Sequence, residues 1–246
     1  MNKQEIEKYS RQIIIKNIGI LGQKKILKGN VLVVGTGGLG CTVIDLLTRS
    51  GLGKIGIVDK DKVKLSNIHR QNLFNLQDIN KFKVDIIKKK ISKINPKTKI
   101  EIFKEFLNEN NAEKIIRSYD IIIDGSDNFK TKFLINRFCF KFKKKLITGA
   151  ISKFEGHIFT FDFKKRSTPC LKCFYQDVPS DEILNCEFDG VVGYIATLIG
   201  SIQSNEVIKF LLNIGNNLNG KILIINLLTL KFRSVKFDKK KKCDCN

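Results

Sequence analysis

The sequence predicts an α/β fold: a doubly wound, mostly parallel sheet with antiparallel strands at its C-terminal end. The first observation is the apolar run 31–34, which leads through the glycine-rich segment 35–40 into a helical pattern. The second is the alternation of near-continuous apolar strands with helical stretches, typical of a parallel sheet covered on both faces. The third is a later set of strand patterns that we expect to be antiparallel. Together they predict a Rossmann-like sheet with an antiparallel extension.

The expected elements follow in order along the chain. Residues 3–28 are predicted to be helical. The parallel strands are predicted at 31–34, 54–58, 99–103, 120–124 and 145–148, with helices at 41–50, 82–94, 111–118 and 129–142. The later strands are predicted at 157–163, 221–227 and 231–237, with a long helix at 191–213. Segment 164–190 shows no periodicity, and so long a structureless stretch inside a compact domain is more often functional than not.

We expect one domain over residues 1–246, because the chain has only three prolines and neither a low-complexity linker nor an internal repeat. Within it we distinguish an N-terminal helical arm at 1–28 and a Rossmann-like core at 29–150. A C-terminal elaboration at 151–246 then carries a crossover loop and most of the cysteines.

Composition favours a soluble, cytoplasmic protein. Hydrophobic residues make up 42% of the chain, but no apolar run is long enough to cross a bilayer, and the N-terminus has no apolar signal core. The net charge of +21 comes mainly from lysines spread along the chain, without a recognisable nucleic-acid module. We therefore expect a solvated lysine-rich surface that attracts an acidic protein partner rather than nucleic acid, and no membrane partner.

The glycine-rich segment predicts a nucleotide site. Gly35 permits a tight turn, Gly37 lets the backbone approach phosphates, and Gly40 lets the helix pack closely on the strand. The helix N-terminus then presents unpaired amides to an anion. Asp59, at the end of the next strand, is placed to bind a ribose hydroxyl. A turn that merely connects strand to helix is the alternative, and the motif does not specify which nucleotide binds.

Polar residues after the second strand extend this site. Asn67 is suited to a ribose or phosphate oxygen, and Arg70 to a bidentate contact with a triphosphate. Lys83, which opens the next helix, is suited to the same phosphates. His69 and His157 have no spacing that suggests a metal site or a catalytic triad.

Acidic residues follow the fourth predicted strand. Asp127 lies where parallel sheets bind ligands, and magnesium favours one or two carboxylates together with substrate phosphates. We therefore predict that Asp127 is a Mg²⁺ ligand. Helix N-capping is the alternative role for Asp124, Ser126 or Asp127.

Seven cysteines in a chain expected to be cytoplasmic suggest metal binding or catalysis rather than disulfides. Cys41 and Cys139 fall in helical patterns and are expected to be core residues. The others lie in the final third of the chain: Cys170, Cys173, Cys186, Cys243 and Cys245.

The two cysteine pairs, Cys170 with Cys173 and Cys243 with Cys245, predict a structural zinc site, because four thiolates close a tetrahedral shell. Free thiols at the chain end are the alternative. Cys186 stands just before the long helix, where a helix N-terminus lowers the pKa of a thiol, so it is a candidate reactive group or a spectator.

The chain resembles the ThiF/MoeB/HesA family, relatives of the ubiquitin-activating enzymes. The matching segments occur in the family's order over nearly the whole chain. They are Tyr9-Ser-Arg-Gln-Ile13, Gly35-Thr-Gly-Gly-Leu-Gly40, Asp59, Ser66-Asn-Ile-His-Arg-Gln71, Lys83, Asp124-Gly-Ser-Asp-Asn128, Gly149-Ala150, Cys170-Leu-Lys-Cys173, Asn185-Cys186, Gly190-Val-Val-Gly193, Gly200-Ser-Ile-Gln203 and Glu206-Val-Ile-Lys209.

The resemblance implies an adenylyltransferase that uses ATP to activate the C-terminal glycine of a ubiquitin-like sulfur carrier protein ending in Gly-Gly. The product is an acyl-adenylate, pyrophosphate is released, and the pathway is thiamine or molybdopterin synthesis, with a slight lean towards thiamine. A sulfurtransferase or cysteine desulfurase is an implied further partner. The nucleotide contacts implied are Gly35, Gly37, Gly38, Gly40, Asp59, Asp61, Ser66, Asn67, Arg70, Lys83, Asp127 and Asn128.

The resemblance also implies catalytic roles. Arg70, Lys83 and an Asp127-bound Mg²⁺ match the family's residues for neutralising phosphate charge, and Arg11 matches an arginine supplied across a homodimer interface. Cys186 matches a cysteine that forms a covalent link to the carrier in some members and is dispensable in others. The second cysteine pair is Cys-x-Cys here, where the family usually has Cys-x-x-Cys.

Other functions stay open. One is an enzyme of the same fold acting on a small carboxylate or on tRNA threonylcarbamoyladenosine. An NAD-dependent oxidoreductase is compatible with the glycine motif, but we find no Tyr-x-x-x-Lys pair or comparable proton donor. A nucleic-acid-binding protein is supported by net charge only.

Overall fold

A computed structural model describes residues 1–175, 190–241 and 243. Its helices are α1 (Lys3–Lys8), α2 (Ser10–Ile13), α3 (Gly19–Ile26), α4 (Gly38–Arg49), α5 (Lys83–Ile94), α6 (Ala112–Arg117), α7 (Phe129–Lys141), α8 (Leu171–Phe174) and α9 (Gly193–Leu212), with 3-10 turns at Leu65–Asn67 and Leu76–Asp78. Its strands are β1 (Asn30–Val34), β2 (Lys54–Val58), β3 (Lys99–Phe103), β4 (Ile121–Asp124), β5 (Lys145–Ser152), β6 (Glu155–Asp162), β7 (Lys221–Asn226) and β8 (Lys231–Lys236).

These strands form a single sheet in the order β3-β2-β1-β4-β5-β6-β7-β8. The strands β3, β2, β1, β4 and β5 are parallel, and β6, β7 and β8 follow, each antiparallel to the strand before it. The chain leaves β1 for β2 and β3 on one side, then returns to β4 on the other. The predicted doubly wound sheet with antiparallel C-terminal strands is therefore confirmed. The order reverses between β1 and β4, and open α/β sheets bind ligands at that point.

The central strands are apolar on both faces because helices cover both. Val31 and Val33 pack into the cluster on the side of α4, α5 and α9, whereas Leu32 and Val34 pack into the cluster on the side of α6 and α7. All four side chains are at least 97% buried. Burying one such side chain stabilises a fold by roughly 1.5–3 kcal/mol, so β1 is a rigid support for the glycine turn that follows it.

The region 3–28, predicted to be helical, is helical over most of its length but is not continuous. The arm is divided into α1, α2 and α3, with a break at Tyr9 and another before Gly19, whose φ of +56° is not helical. Tyr9 is buried, and its hydroxyl accepts a hydrogen bond of 3.1 Å from Asn95 Nδ2. Tertiary burial of this ring therefore overrides local helix propensity.

Two further differences from expectation concern β5 and the segment 164–190. β5 extends to Ser152 rather than ending at 148, because its antiparallel pairing with β6 continues up to the tight turn at Lys153, which has a φ of +51°. The unpatterned segment 164–190 contains the short helix α8, and residues 176–189 of it lie outside the described part of the chain. Within the described residues, no helix is both long and apolar enough to span a membrane.

Candidate active site

A cavity of about 560 Å³ opens at the C-terminal ends of β1, β2 and β4, where the strand order reverses. Its walls combine the glycine turn after β1, the residues after β2, the loop after β4 and the end of β5. The N-terminus of the twelve-residue helix α4 opens into it. An anion here meets unpaired main-chain amides and the positive end of a helix dipole.

The glycine turn shapes this opening. Gly35 has a φ of +87°, and a Cβ there would lie 2.8 Å from the Gly125 carbonyl oxygen. A Cβ on Gly40 would lie 2.0 Å from the Gly35 carbonyl oxygen, so only glycine permits this contact between strand and helix. Gly37 differs, because its Cβ would meet nothing closer than Gln71 Nε2, at 4.0 Å. Gly37 thus leaves open space beside the helix N-terminus.

Asp59 is held in place by hydrogen bonds. Its Oδ2 accepts from the main-chain N–H of Thr36 at 2.8 Å and from the Thr36 hydroxyl at 2.6 Å, and its Oδ1 accepts from the main-chain N–H of Asp61 at 2.7 Å. A carboxylate has about four acceptor sites, so one remains for a ligand hydroxyl. Asp59 lines the cavity in a fixed orientation suited to a ribose.

Two basic side chains line the same wall. Arg70 Nη1 donates to the Ser66 carbonyl at 2.7 Å and lies 2.8 Å from His69 Nε2. Lys83 is buried, and its ammonium lies 3.2 Å from Asp61 Oδ2. Both cations are therefore oriented before any anion arrives.

The remaining predicted contacts are placed unevenly. Asn67 lines the cavity, but its Oδ1 accepts from the main-chain N–H of Lys64 at 3.0 Å, which caps its own turn. Ser66 is exposed and does not line the cavity; its carbonyl supports Arg70 instead. Asn128 caps α7, accepting from Thr131 N–H at 2.8 Å.

Asp127 presents an exposed carboxylate to the cavity. Among the described residues its carboxylate accepts a side-chain hydrogen bond from Asn128 Nδ2 alone, at 3.2 Å, so most of its acceptor capacity remains available. The N-cap position of α7 belongs to Asn128. The capping alternative considered for Asp127 is thus filled by its neighbour.

A compact thiolate cluster lies away from the cavity. The Sγ atoms of Cys170, Cys173 and Cys243 are 3.5–3.8 Å apart, and all three residues are buried. Ligands about 2.3 Å from a tetrahedral zinc are separated by about 3.8 Å, so this spacing fits a zinc site. Cys245, the predicted fourth ligand, and Cys186 lie outside the described residues.

Cys41 and Cys139 are fully buried core residues, as expected. Burial raises the pKa of Cys41 to about 12 and raises the pKa of Cys139 well above its usual value. Both remain protonated thiols at neutral pH, which makes them poor nucleophiles and poor metal ligands.

Comparison with known proteins decides the family. Residues 9–246 match the sequence model of the ThiF family. The chain belongs to the ThiF family. It is 38% identical over 236 residues to a probable molybdopterin-synthase adenylyltransferase of Gracilaria tenuistipitata var. liui. It is 34% identical over 245 residues to a sulfur carrier protein adenylyltransferase of Thermus thermophilus, and 37% identical over 246 residues to the adenylyltransferase and sulfurtransferase MOCS3 of Aedes aegypti.

The relatives differ in length from this ThiF-family chain. The alignments cover 96%, 98% and 100% of this chain, but 66% of the Gracilaria protein, 90% of the Thermus protein and 56% of the Aedes protein. The chain therefore spans about half of the relative whose name includes a sulfurtransferase.

Solved structures show the same fold. Escherichia coli MccB, solved with ATP, superposes with a TM-score of 0.84 over 100% of this chain and 75% of that chain, at 22% identity. PaaA gives a TM-score of 0.82 over 96% of this chain and 84% of its own, also at 22% identity. The ThiF-like arrangement of sheet and helices is thus shared with proteins of distant sequence.

Three supporting residues of this ThiF-family site are not predicted from the sequence. Thr36, inside the glycine motif, orients Asp59 with two hydrogen bonds. His69 lies against the Arg70 guanidinium. Lys132 is a buried cavity-lining lysine paired with Asp124 at 3.0 Å. The position of the Thr36 hydroxyl directly after Gly35 could have indicated its contact with Asp59. Nothing in the sequence distinguishes Lys132 from the many surface lysines.

Arg11 does not line the cavity. It is exposed on α2, between Tyr9, which bonds Asn95, and Gln12, whose Nε2 donates to the Ser50 carbonyl at 3.3 Å. Ser50 follows the last residue of α4, whereas the cavity lies at the first. A helix of twelve residues is about 18 Å long, so Arg11 and the cavity of its own chain lie at opposite ends of α4.

Proposed function

We propose that this ThiF-family chain uses ATP to adenylylate the C-terminal carboxylate of a ubiquitin-like sulfur carrier protein ending in Gly-Gly, with release of pyrophosphate. One observation is the main support for this proposal. A glycine turn at a helix N-terminus, the oriented carboxylate of Asp59 and the cations of Arg70 and Lys83 share one cavity. The names of the Gracilaria and Thermus relatives support the same reaction.

The chemistry suits these residues. The carrier carboxylate is already ionised at neutral pH, so no general base is needed. Its oxygen forms a bond to the α-phosphorus while the bond from that phosphorus to the bridging oxygen of the β-phosphate breaks, and pyrophosphate leaves with the bond electrons. Nucleophile and triphosphate are both anionic, so the site must hold like charges together and stabilise the charge that develops on the leaving group.

Each binding element has a part in this proposal. Asp59 accepts a ribose hydroxyl, and the α4 N-terminus beside Gly37 receives phosphate oxygens. Arg70 supplies a planar fork whose orientation is set by the Ser66 carbonyl and His69, and Lys83 supplies a second cation. Asn67, Asp61 and Asn128 support these groups from the cavity wall.

The residues also fit magnesium. Asp127 offers an available carboxylate inside a cavity suited to phosphates, which is the donor set that magnesium favours. Bound there, the ion would neutralise charge on the phosphates. Asp127 itself would hold and orient that ion.

We propose zinc for the thiolate cluster, with Cys245 as the fourth ligand. The three described thiolates come from the region around α8 and from the chain following β8, so a metal would fasten the C-terminal strand to the loop before the crossover. Closed sites of four protein ligands are structural.

Freshly purified protein is expected to contain about one zinc per chain by elemental analysis. Cys243→Ser should lose the metal and lower the melting temperature, because a ligand is removed from a structural site. Cys139→Ala is the matched control: a buried thiol outside the cluster, expected to keep its zinc. Full zinc occupancy in Cys243→Ser would contradict the assignment.

A homodimer with Arg11 acting across its interface is part of the proposal. Arg11 does not line the cavity of its own chain, and the arm that carries it exposes large apolar side chains, among them Ile14 at 71% and Leu21 at 75%. Covering these side chains with a second copy would remove apolar surface from water and bring Arg11 towards the other copy's site.

The pathway follows from the choice of carrier. The Gracilaria relative is named for molybdopterin synthase, which favours a molybdopterin-type carrier. The names of the three relatives given above do not support the predicted preference for the thiamine pathway. We propose that a sulfurtransferase or cysteine desulfurase acts after adenylylation, in keeping with the two activities in the name of the Aedes relative. Cys186 stays a candidate for that later step.

The proposed function is tested by carrier-dependent exchange of labelled pyrophosphate into ATP. Exchange requires the acyl-adenylate to form reversibly, so it reports the proposed step alone. ATP binding without exchange would contradict it.

A further inference from the structure

The proposed mechanism leaves a buried charge pair unused at one wall of the cavity. Lys132, on α7, and Asp124, at the end of β4, have side chains that are 5% and 1% exposed, with the ammonium 3.0 Å from Asp124 Oδ2. Lysine is rarely buried to this extent, because desolvation of its charge is costly without a partner. Such a pair at a ligand cavity is a candidate for function.

Asp124 has no capacity left for a ligand. Its carboxylate accepts from the Ser126 main-chain N–H at 2.9 Å, from the Ser126 hydroxyl, from Lys132 and from the Thr148 hydroxyl. These four donors fill the acceptor sites of one carboxylate. Asp124 therefore holds the Lys132 ammonium in place.

Lys132 does have capacity left. An ammonium has three N–H donors, and two are used, towards Asp124 Oδ2 and towards the Gly149 carbonyl at 2.6 Å. The third has no partner among the described residues, and Lys132 is part of the cavity wall. A buried cation in a cavity wall, with one donor left over, is suited to an anionic or carbonyl oxygen.

The order of the strands indicates which reactant supplies the oxygen that Lys132 binds. Along the sheet, Asp59 follows β2, the glycine turn follows β1, and Lys132 lies beyond them at the ends of β4 and β5. A nucleotide with its ribose at Asp59 and its phosphates at α4 leaves the wall formed by Lys132, Ala150 and Ile151 for the second reactant. That reactant is the carboxylate attacking phosphorus.

We propose that Lys132 Nζ binds the C-terminal carboxylate of the acyl substrate and orients it towards the α-phosphate, an inference that rests on the proposed function. One carboxylate oxygen accepts the third N–H of Lys132, and the other forms the new bond to phosphorus. No proton is transferred, and the oxygen held by Lys132 becomes the carbonyl oxygen of the acyl-adenylate. Because Asp124 balances the lysine charge, the pair offers a directed hydrogen bond suited to a monoanion.

The test compares ATP binding with carrier use in Lys132→Met, which keeps the length of the side chain and removes its donors. We expect its Kd for ATP, measured by calorimetry, to stay within about threefold of wild type. Its kcat/KM for the carrier in pyrophosphate exchange should fall at least about a hundredfold. Lys132→Arg, which retains the charge and the donors, should restore much of the lost kcat/KM for the carrier.

A second comparison isolates the carboxylate. With a non-hydrolysable ATP analogue bound, wild type should bind the carrier acid at least about tenfold more tightly than the carrier with a C-terminal carboxamide. Lys132→Met should bind the two forms equally. Asp124→Asn combined with Lys132→Met removes both charges, and should show the same equality if the single variant is unstable.

The outcomes are distinct. An unchanged preference for acid over amide in Lys132→Met, or a fall in ATP affinity as large as the fall in carrier use, would overturn the carboxylate subsite and leave the proposed function intact. Absence of exchange in wild type itself would overturn the proposed function and this inference together.

Discussion

Asp127→Ala is expected to abolish carrier-dependent pyrophosphate exchange while the protein stays folded. Asp127 offers the cavity an exposed carboxylate with acceptor capacity to spare, and it is the residue proposed to hold Mg²⁺. Loss of a charge that stabilises the transition state typically costs at least about a hundredfold in kcat. Exposed substitutions change stability by about 0.5 kcal/mol, so the melting temperature should move by only about 2 °C.

Two control variants accompany this prediction. Asp127→Asn keeps a hydrogen-bonding side chain but loses the charge, and it should be nearly as inactive as alanine. Asp120→Asn alters an exposed carboxylate that precedes β4, whereas Asp127 follows that strand. This variant should be fully active. Normal exchange by Asp127→Ala at saturating Mg²⁺ would refute the magnesium assignment.

Arg11→Ala is expected to be inactive alone and to regain activity when mixed with Asp127→Ala. If Arg11 serves the partner's cavity, a mixed dimer contains one site with its own Asp127 and the other chain's Arg11. Random reassortment of equal amounts gives about a quarter of wild-type activity. If each arginine served its own cavity, no combination would be active.

The control for this experiment is Lys16→Ala, which removes another exposed cation from the arm. It should be active alone and should not change the result of mixing. Recovery to about a quarter of wild-type activity requires chains to exchange between dimers. Native mass spectrometry of isotopically labelled chains measures this exchange directly. Exchange of chains without recovery would contradict action in trans.

Much of the fold was predictable because its signals are local. The four residues 31–34 are apolar because helices bury both faces of β1, and the following glycines are spaced by the contact between Gly35 and Gly40. Hence the sequence predicted the sheet and the position of the glycine turn between β1 and α4, whereas the hydrogen bonds of Asp59 to Thr36 were not predicted. The largest shift of a strand boundary is at β5, which antiparallel pairing extends to Ser152.

The remainder depends on tertiary contacts. The break in the N-terminal arm follows from burial of Tyr9 against Asn95, which no local pattern reveals. Lys132 becomes distinctive only when α7 places it beside Asp124 and the Gly149 carbonyl. Ser66 was expected to contact the nucleotide, but its backbone position supports Arg70 and its side chain faces solvent.

Formation of the acyl-adenylate is tested by exchange of labelled pyrophosphate into ATP with purified wild-type protein. One molybdopterin-type and one thiamine-type carrier, each with an intact Gly-Gly end, should be compared with the same carriers lacking the last glycine. We expect exchange with an intact carrier and none with the shortened form. ATP binding with no exchange for either carrier would contradict it and favour a small carboxylate or a tRNA nucleoside as the substrate.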